Sequence, residues 1–181
     1  IKLYAKSLYE NMIIDKERQM DAAQRIEAHA KEIEEFIKQI VEASSEDFVS
    51  IEVQNSEFYI KDYMNHISNT YAEKFRINMT EFHIVKYENR LLKGDFDRAI
   101  EVMENLLENA LKYGDGKKII ISFYEEDYCQ IISVYNTGIP VDERELPHLF
   151  DSFFRGSNVK AKEGNGLGLY ICRQIMHKMD G

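Results

Sequence analysis

The sequence predicts an α+β protein in two parts. Residues 1–46 form an N-terminal helical hairpin, which a second copy of the chain would complete into a dimeric four-helix bundle, and residues 47–181 form an α/β two-layer sandwich. Three observations carry that prediction. Residues 1–46 contain neither Gly nor Pro, the commonest helix interrupters, and space their apolar residues by three and four. After residue 47, strand-like and helical runs follow one another and include one antiparallel pair. A chain of 181 residues, 44% of them hydrophobic, has the size of one domain with a helical appendage and can bury a core.

Each element has a local reason. Leu3, Tyr4, Leu8 and Met12 recur at helical spacing between Ile1 and Ile14, and Asp15 then offers a break and an N-cap. From Lys16 to Ala43, residues such as Met20, Ala23, Ile26, Ala30, Ile33 and Ile37 draw a narrow apolar seam between Glu, Lys and Gln. Two helices alone cannot bury that seam on both sides, hence the dimer. Phe48 to Val53 alternates as a strand does, Ile60 to Phe75 is helical, and Ile77 to Lys86 is strand-like, with Leu91-Leu92 closing a short pair before Gly94. Asp95 caps a helix that runs to Tyr113 and ends at Gly114-Asp115-Gly116. Lys117–Tyr124 and Cys129–Tyr135 then read as a hairpin of buried strands. Residues 136–165 are loop-rich and hold both prolines, and a last helix begins near Gly168.

Composition narrows the function. The net charge is -9, which argues against a nucleic-acid partner and against membrane contact by these residues, but not against a small anionic ligand. No run approaches the ~20 apolar residues of a membrane span, and no signal peptide opens the chain. The first residue is not Met, so the chain reads as an excised portion of a longer protein. Cys129 and Cys172 lie in apolar runs without zinc-type spacing, which predicts buried thiols in a reducing compartment.

Four segments can carry chemistry. On the helix from Asp95 to Tyr113, Asn105, Asn109 and Lys112 share one stripe beside the apolar face of Val102, Met103, Leu106, Leu107, Ala110 and Leu111. Such a stripe is either a solvated face or a site where an Asn carbonyl ligates Mg²⁺ and a Lys meets phosphate. Asn136-Thr137-Gly138-Ile139-Pro140 follows a strand end: an ordinary turn, or one that reads a flat ring with Asn136 while Gly138 admits the backbone. Gly164-Asn165-Gly166-Leu167-Gly168-Leu169 leads into a helix, either as a flexible linker or as a phosphate cradle. It is neither a Rossmann fingerprint nor a Walker loop. Between these, Ser152 to Lys162 holds Arg155, Lys160 and Lys162 and no acidic residue. Phe150, Phe153 and Phe154 read there as hydrophobic anchors of the loop.

The order of the four segments is more specific than any one of them. Asn-Leu-Leu-Glu-Asn-Ala-Leu-Lys-Tyr (105–113), Asn-Thr-Gly (136–138), Leu-Phe-Asp-Ser-Phe-Phe-Arg (149–155) and Gly-Asn-Gly-Leu-Gly-Leu (164–169) resemble the N, G1, F and G2 boxes of bacterial sensor histidine kinases. The preceding hairpin is similar to that family's dimerisation and histidine-phosphotransfer region. The resemblance implies the ATP-binding fold shared with gyrase, Hsp90 and MutL, with Mg²⁺ and ATP as cofactors. It implies a homodimer through residues 1–46, a response-regulator receiver domain as partner, and a cytoplasmic location in a protein anchored in the bacterial membrane. Carried over, Asn109 would hold Mg²⁺ and Asn105 the phosphate end of the nucleotide, where hydrolytic relatives place a Glu base. Lys112 would contact phosphates, Tyr113 the ribose and base, and Asn136 with Gly138 the adenine. Arg155 would stabilise the γ-phosphate, and Gly164, Gly166 and Gly168, with Leu167 and Leu169, would wrap the triphosphate. Asn105, Lys112 and Arg155 would be the catalytic set, because phosphoryl transfer rests on positioned charge.

Three departures stand out. Asn136 replaces the usual Asp and Pro140 the second Gly of the G1 box. The chain stops at Gly181, before the family's final strands. It also lacks the His-Glu/Asp-x-x-Thr/Asn-Pro phosphoacceptor segment. His29 lies on the second helix without that context and reads as a surface or seam histidine, and His66, His83, His148 and His177 read as structural. The alternative function is a non-catalytic nucleotide-binding dimerisation module.

Overall fold

The computed structural model describes residues 2–10, 12, 15–44, 51–127, 129–159 and 164–181. The chain divides into two compact units, Ile1–Ser45 and Glu46–Gly181. In the first, α1 (Lys2–Tyr9) ends earlier than its periodicity suggests, and α2 (Lys16–Ser44) begins just after Asp15. The Asp15 carboxylate accepts the Glu17 N–H at 2.9 Å, as an N-cap does. Ala22 is buried, and the Arg25 guanidinium lies 5.8 Å from the centre of the Tyr4 ring. Leu3, Met12, Met20 and Ile33 remain exposed.

The second unit is a helix layer on a sheet. Helix α3 (Ile60–Ile77) buries Ile60, Tyr63, Met64, Ile67, Tyr71 and Phe75, the one face that steps of three and four produce. Helix α4 (Phe96–Tyr113) buries Ile100, Met103, Leu107 and Ala110 against it. Tyr63 donates to the Ala99 carbonyl at 2.7 Å and Tyr71 to Glu108 at 2.9 Å, so the two helices are joined by hydrogen bonds as well as by packing. Below them lies a three-stranded sheet in the order β2 (Glu81–Ile84), β4 (Lys118–Glu126), β5 (Cys129–Asn136). Ile119 and Ile121 of β4 are fully buried under the helices. Each such side chain contributes roughly 1.5–3 kcal/mol on leaving water. Helix α5 (Gly168–Lys178) buries Ile171, Cys172 and Ile175, and the Cys172 thiol lies 3.8 Å from the Val102 carbonyl of α4.

Four expectations change. Of the strand expected over Phe48 to Val53, residues 48–50 lie outside the described residues and 51–53 are not in a strand; the first strand of the unit, β1, is Ser56–Tyr59. Strand β3 (Leu91–Gly94) does not close a pair with β2. It pairs antiparallel with β1, while β2 runs parallel to β4. Cys129 is exposed, because it opens β5 at the tip of the hairpin; only Cys172 is buried, and burial pushes its thiol up to about 12. Phe150 and Phe153 are 42% and 54% exposed and are not buried anchors, whereas half-buried Phe154 packs on the His148 ring at 5.8 Å. His29 is a surface residue, bonded to Glu32 at 3.0 Å.

Candidate functional site

Helix α4 sets the floor of a cleft. Asp95 caps its first turn by accepting the Arg98 N–H at 3.1 Å, and accepts the Gln54 N–H at 2.7 Å. Burial alone would raise this carboxyl, but its N–H donors outweigh burial and hold it below the usual carboxylate range. With the start pinned and one face in the core, the last turns of α4 carry Asn109 and Tyr113 to the cleft.

The turn after β5 meets the end of α4 closely. The Asp115 N–H donates to the Thr137 carbonyl at 3.0 Å, and the Lys118 N–H donates to the Thr137 hydroxyl at 3.1 Å. A Cβ added to Gly114 would fall 2.4 Å from the Ala110 carbonyl and 2.9 Å from Asn136 Nδ2, so this position admits no side chain. These contacts place Asn136 and Gly138 across from Asn109. Asn136 Nδ2 donates to the Thr137 carbonyl at 3.1 Å.

The third element is the start of α5. The Leu167 carbonyl opens the helix by accepting the Ile171 N–H at 2.9 Å. The Asn165 Oδ1 accepts the Leu167 N–H at 3.1 Å, while Leu167, at the N-cap, has no polar side-chain group to cap the N–H groups that follow it. That turn holds no acidic residue either. Uncapped N–H groups and the positive end of the helix dipole therefore lie beside Gly166, Gly168 and Leu169, which line the cleft. Gly166 has φ +73°, and a Cβ there would come within 2.5 Å of the Phe154 carbonyl, so the glycine is needed for both reasons.

Together these walls enclose about 650 Å³. Of the residues predicted from sequence, Asn109, Tyr113, Asn136, Gly138, Arg155, Gly166, Gly168 and Leu169 line it. Asn105, Lys112, Gly164 and Leu167 are not part of its wall. Asn105 donates to the Glu101 carbonyl at 2.9 Å within α4, and its Oδ1 lies where a Cβ at Gly168 would approach to 2.9 Å, so it abuts the start of α5. Lys112 is exposed, with its ammonium 5.7 Å from the centre of the Tyr113 ring. Gly164 sits against Tyr113, where a Cβ would meet the hydroxyl at 2.6 Å, and Leu167 is fully buried. Lys160 and Lys162 lie outside the described residues.

Sequence reasoning missed the apolar lining: Leu106, Val134, Ile139, Val141, Leu149 and Phe154. Among the described residues Arg155 is the one charged side chain in the wall, and no carboxylate faces it. An apolar slot beside amides, one guanidinium and a bare helix N-terminus suits a ligand with a flat ring at one end and an anion at the other.

Residues 94–181 match the family described as Histidine kinase-, DNA gyrase B-, and HSP90-like ATPase. The chain is 31% identical over 150 residues to Sensor histidine kinase RcsC of Escherichia coli (strain K12), an alignment covering 81% of this chain and 16% of RcsC. It thus spans a small part of the length of that relative. The catalytic domain of histidine kinase ThkA, in a nucleotide-free form, superposes with a TM-score of 0.60 at 28% identity, covering 69% of this chain and 82% of that one. The structure of ThkA in complex with response regulator protein TrrA shares the fold over 99% of this chain and 51% of that one, with a TM-score of 0.71 at 24% identity. Residues 94–181 are thus a domain of the histidine kinase-, DNA gyrase B-, and HSP90-like ATPase type, and the chain's relatives are sensor histidine kinases.

Proposed function

We propose that residues 47–181 bind Mg·ATP and that the chain is the kinase core of a two-component sensor, paired with a second copy through residues 1–46. In the intact parent, anchored in the membrane with this part in the cytoplasm, the γ-phosphoryl group goes to a histidine and then to an aspartate of a response regulator. One observation carries the reading: a cleft with no carboxylate in its described wall gathers Asn109, Asn136, Arg155 and the start of α5 in a chain whose net charge is -9.

The residues suit the ligand by chemistry. Tyr113 and the apolar slot receive the base, and the Asn136 Oδ1 accepts from its amino group, since Nδ2 is already engaged. The α5 N-terminus and Arg155 meet the phosphates. Asn109 offers a neutral hard oxygen suited to Mg²⁺, which when bound would neutralise charge on the phosphates. With no carboxylate in the described wall to activate water, the site favours delivery to a protein nucleophile over hydrolysis. Exposed Met20 and Ile33 on α2 supply apolar surface for the second copy.

Calorimetric titration with ATP, with and without Mg²⁺, tests the core of the proposal. Wild type binds more tightly with Mg²⁺, and Asn109→Ala removes that gain, a loss of roughly tenfold or more in affinity. Equal and negligible binding by both proteins would defeat it. A phosphotransfer assay with an acceptor helix supplied separately then divides the kinase from a nucleotide-binding dimerisation module without catalysis.

A further inference from the structure

We infer that Asp115 and Thr137 form a latch that sets the base preference of the site by fixing which end of the Asn136 amide meets the ligand. Neither residue lines the cleft; both act through a residue that does. The inference rests on the ATP-site reading above and deepens it.

Asp115 lies in the turn just after α4, and Thr137 lies between Asn136 and Gly138. The Thr137 hydroxyl donates to the Asp115 carboxylate, which also accepts the Lys117 N–H at 3.0 Å and lies 3.5 Å from the Lys117 ammonium. The same hydroxyl accepts the Lys118 N–H at 3.1 Å. In return, the Asp115 N–H donates to the Thr137 carbonyl at 3.0 Å, and the Thr137 N–H donates to the Lys118 carbonyl at 3.0 Å. Thr137 is thus held by its hydroxyl, its N–H and its carbonyl.

That carbonyl is the group to which Asn136 donates its amide, at 3.1 Å. An amide carries an acceptor at one end and a donor at the other, and turning it over exchanges a site for a base amino group with a site for a base carbonyl. While the latch keeps the Thr137 carbonyl on Nδ2, the oxygen of Asn136 is the end left for the ligand. Adenine offers an amino group at that edge, and guanine offers a carbonyl. Where the usual Asp would offer two equivalent oxygens, Asn136 needs this orientation imposed. Asp115 and Thr137 are therefore positioning residues for base selection.

ATP and GTP affinities, measured with Mg²⁺ by calorimetry on the whole chain, test the latch. Thr137→Val is nearly isosteric and removes the hydroxyl, and Asp115→Ala removes its acceptor. Each is expected to lower the ATP-over-GTP preference by roughly tenfold, and the double variant by no more than either single one. Thr137→Ser and Asp115→Asn, which can rebuild the hydrogen bond, restore the preference. In an Asn136→Asp background, with no amide to orient, Thr137→Val leaves the preference unchanged. A structural role would lower both affinities together and would not be bypassed by Asn136→Asp. If wild type binds ATP and Thr137→Val and Asp115→Ala keep its preference, the latch is overturned and the site reading stands. If wild type binds neither nucleotide, both fall.

Discussion

On one side of the cleft, α4 and the turn after β5 meet with almost no slack. A Cβ at Gly114 would lie 2.4 Å from the Ala110 carbonyl and 2.9 Å from the Thr137 carbonyl, and hydrogen bonds at 3.0 Å and 3.1 Å cross the seam. On the other side, the loop from Ile139 to Val159 keeps Phe150 and Phe153 42% and 54% exposed. It is held through Glu145, whose carboxylate accepts the Ser157 N–H at 2.9 Å. The first wall is specified by the protein's own backbone whatever the ligand. The second still has apolar surface to cover, and a bound ring would cover part of it. Stability should therefore reside in the α4 wall and ligand response in the loop wall.

The largest expected effect is on the α4 side. Gly114→Ala puts a methyl group against backbone that cannot move without α4 or β5 moving too. It is expected to lower unfolding stability by about 2–4 kcal/mol, read from urea denaturation. A loss under about 0.5 kcal/mol would show that the tight seam yields, and the contrast between walls would be lost.

The loop side should answer differently. Gly166→Ala also meets backbone, 2.5 Å from the Phe154 carbonyl, and adopts φ +73°. Its neighbours belong to an exposed segment that can shift, so the stability loss should stay near the ~1–2 kcal/mol of left-handed strain. ATP affinity should fall by roughly tenfold as the start of α5 is displaced. A larger stability loss than for Gly114→Ala would reverse the comparison.

The two walls also differed in how far the sequence disclosed them. The α4 stripe is written in a 3.6-residue period, which put Asn105, Asn109 and Lys112 on one line. Of these Asn109 lines the cleft, and Tyr113, which also lines it, came from the motif resemblance rather than from the period. Asn136, Arg155 and Gly168 were found through the order of short motifs. Ile139 and Val141 were not marked as cleft residues, and Leu149 was read only as part of its motif, because loop backbone has no period that marks an inward face. Spacing also could not separate Asn109, which faces the cleft, from Asn105, whose amide turns back to the Glu101 carbonyl one turn earlier. The pairing of β3 with β1 was missed for a related reason: strands of four residues specify no partner locally, and here the partner is chosen by packing under α3 and α4.

The smallest expected effect concerns the two ends of the α4 wall. Asp95 caps the helix and Asp115 follows it. Asp95 is held below the usual carboxylate range by N–H donors that outweigh its burial, and Asp115 by the Thr137 hydroxyl and the Lys117 N–H. Both carboxylates are therefore favoured in the folded, ionised state. Their contribution is complete above the unfolded carboxylate value of about 3.9 and is lost as pH falls through the depressed folded values. Urea midpoints should be level from about pH 7 to 5 and decline below about pH 4. Asp115→Asn should make that decline shallower, and only slightly, because an exposed carboxylate is well screened. In the loop wall the Glu145 carboxylate accepts the Ser157 N–H at 2.9 Å, a comparable contact between distant residues, so Glu145→Gln serves as the paired control. If Asp115→Asn leaves the acid slope at its wild-type value while Glu145→Gln flattens it, the acid-sensitive clamp belongs to the loop and the assignment of rigidity to the α4 wall is wrong.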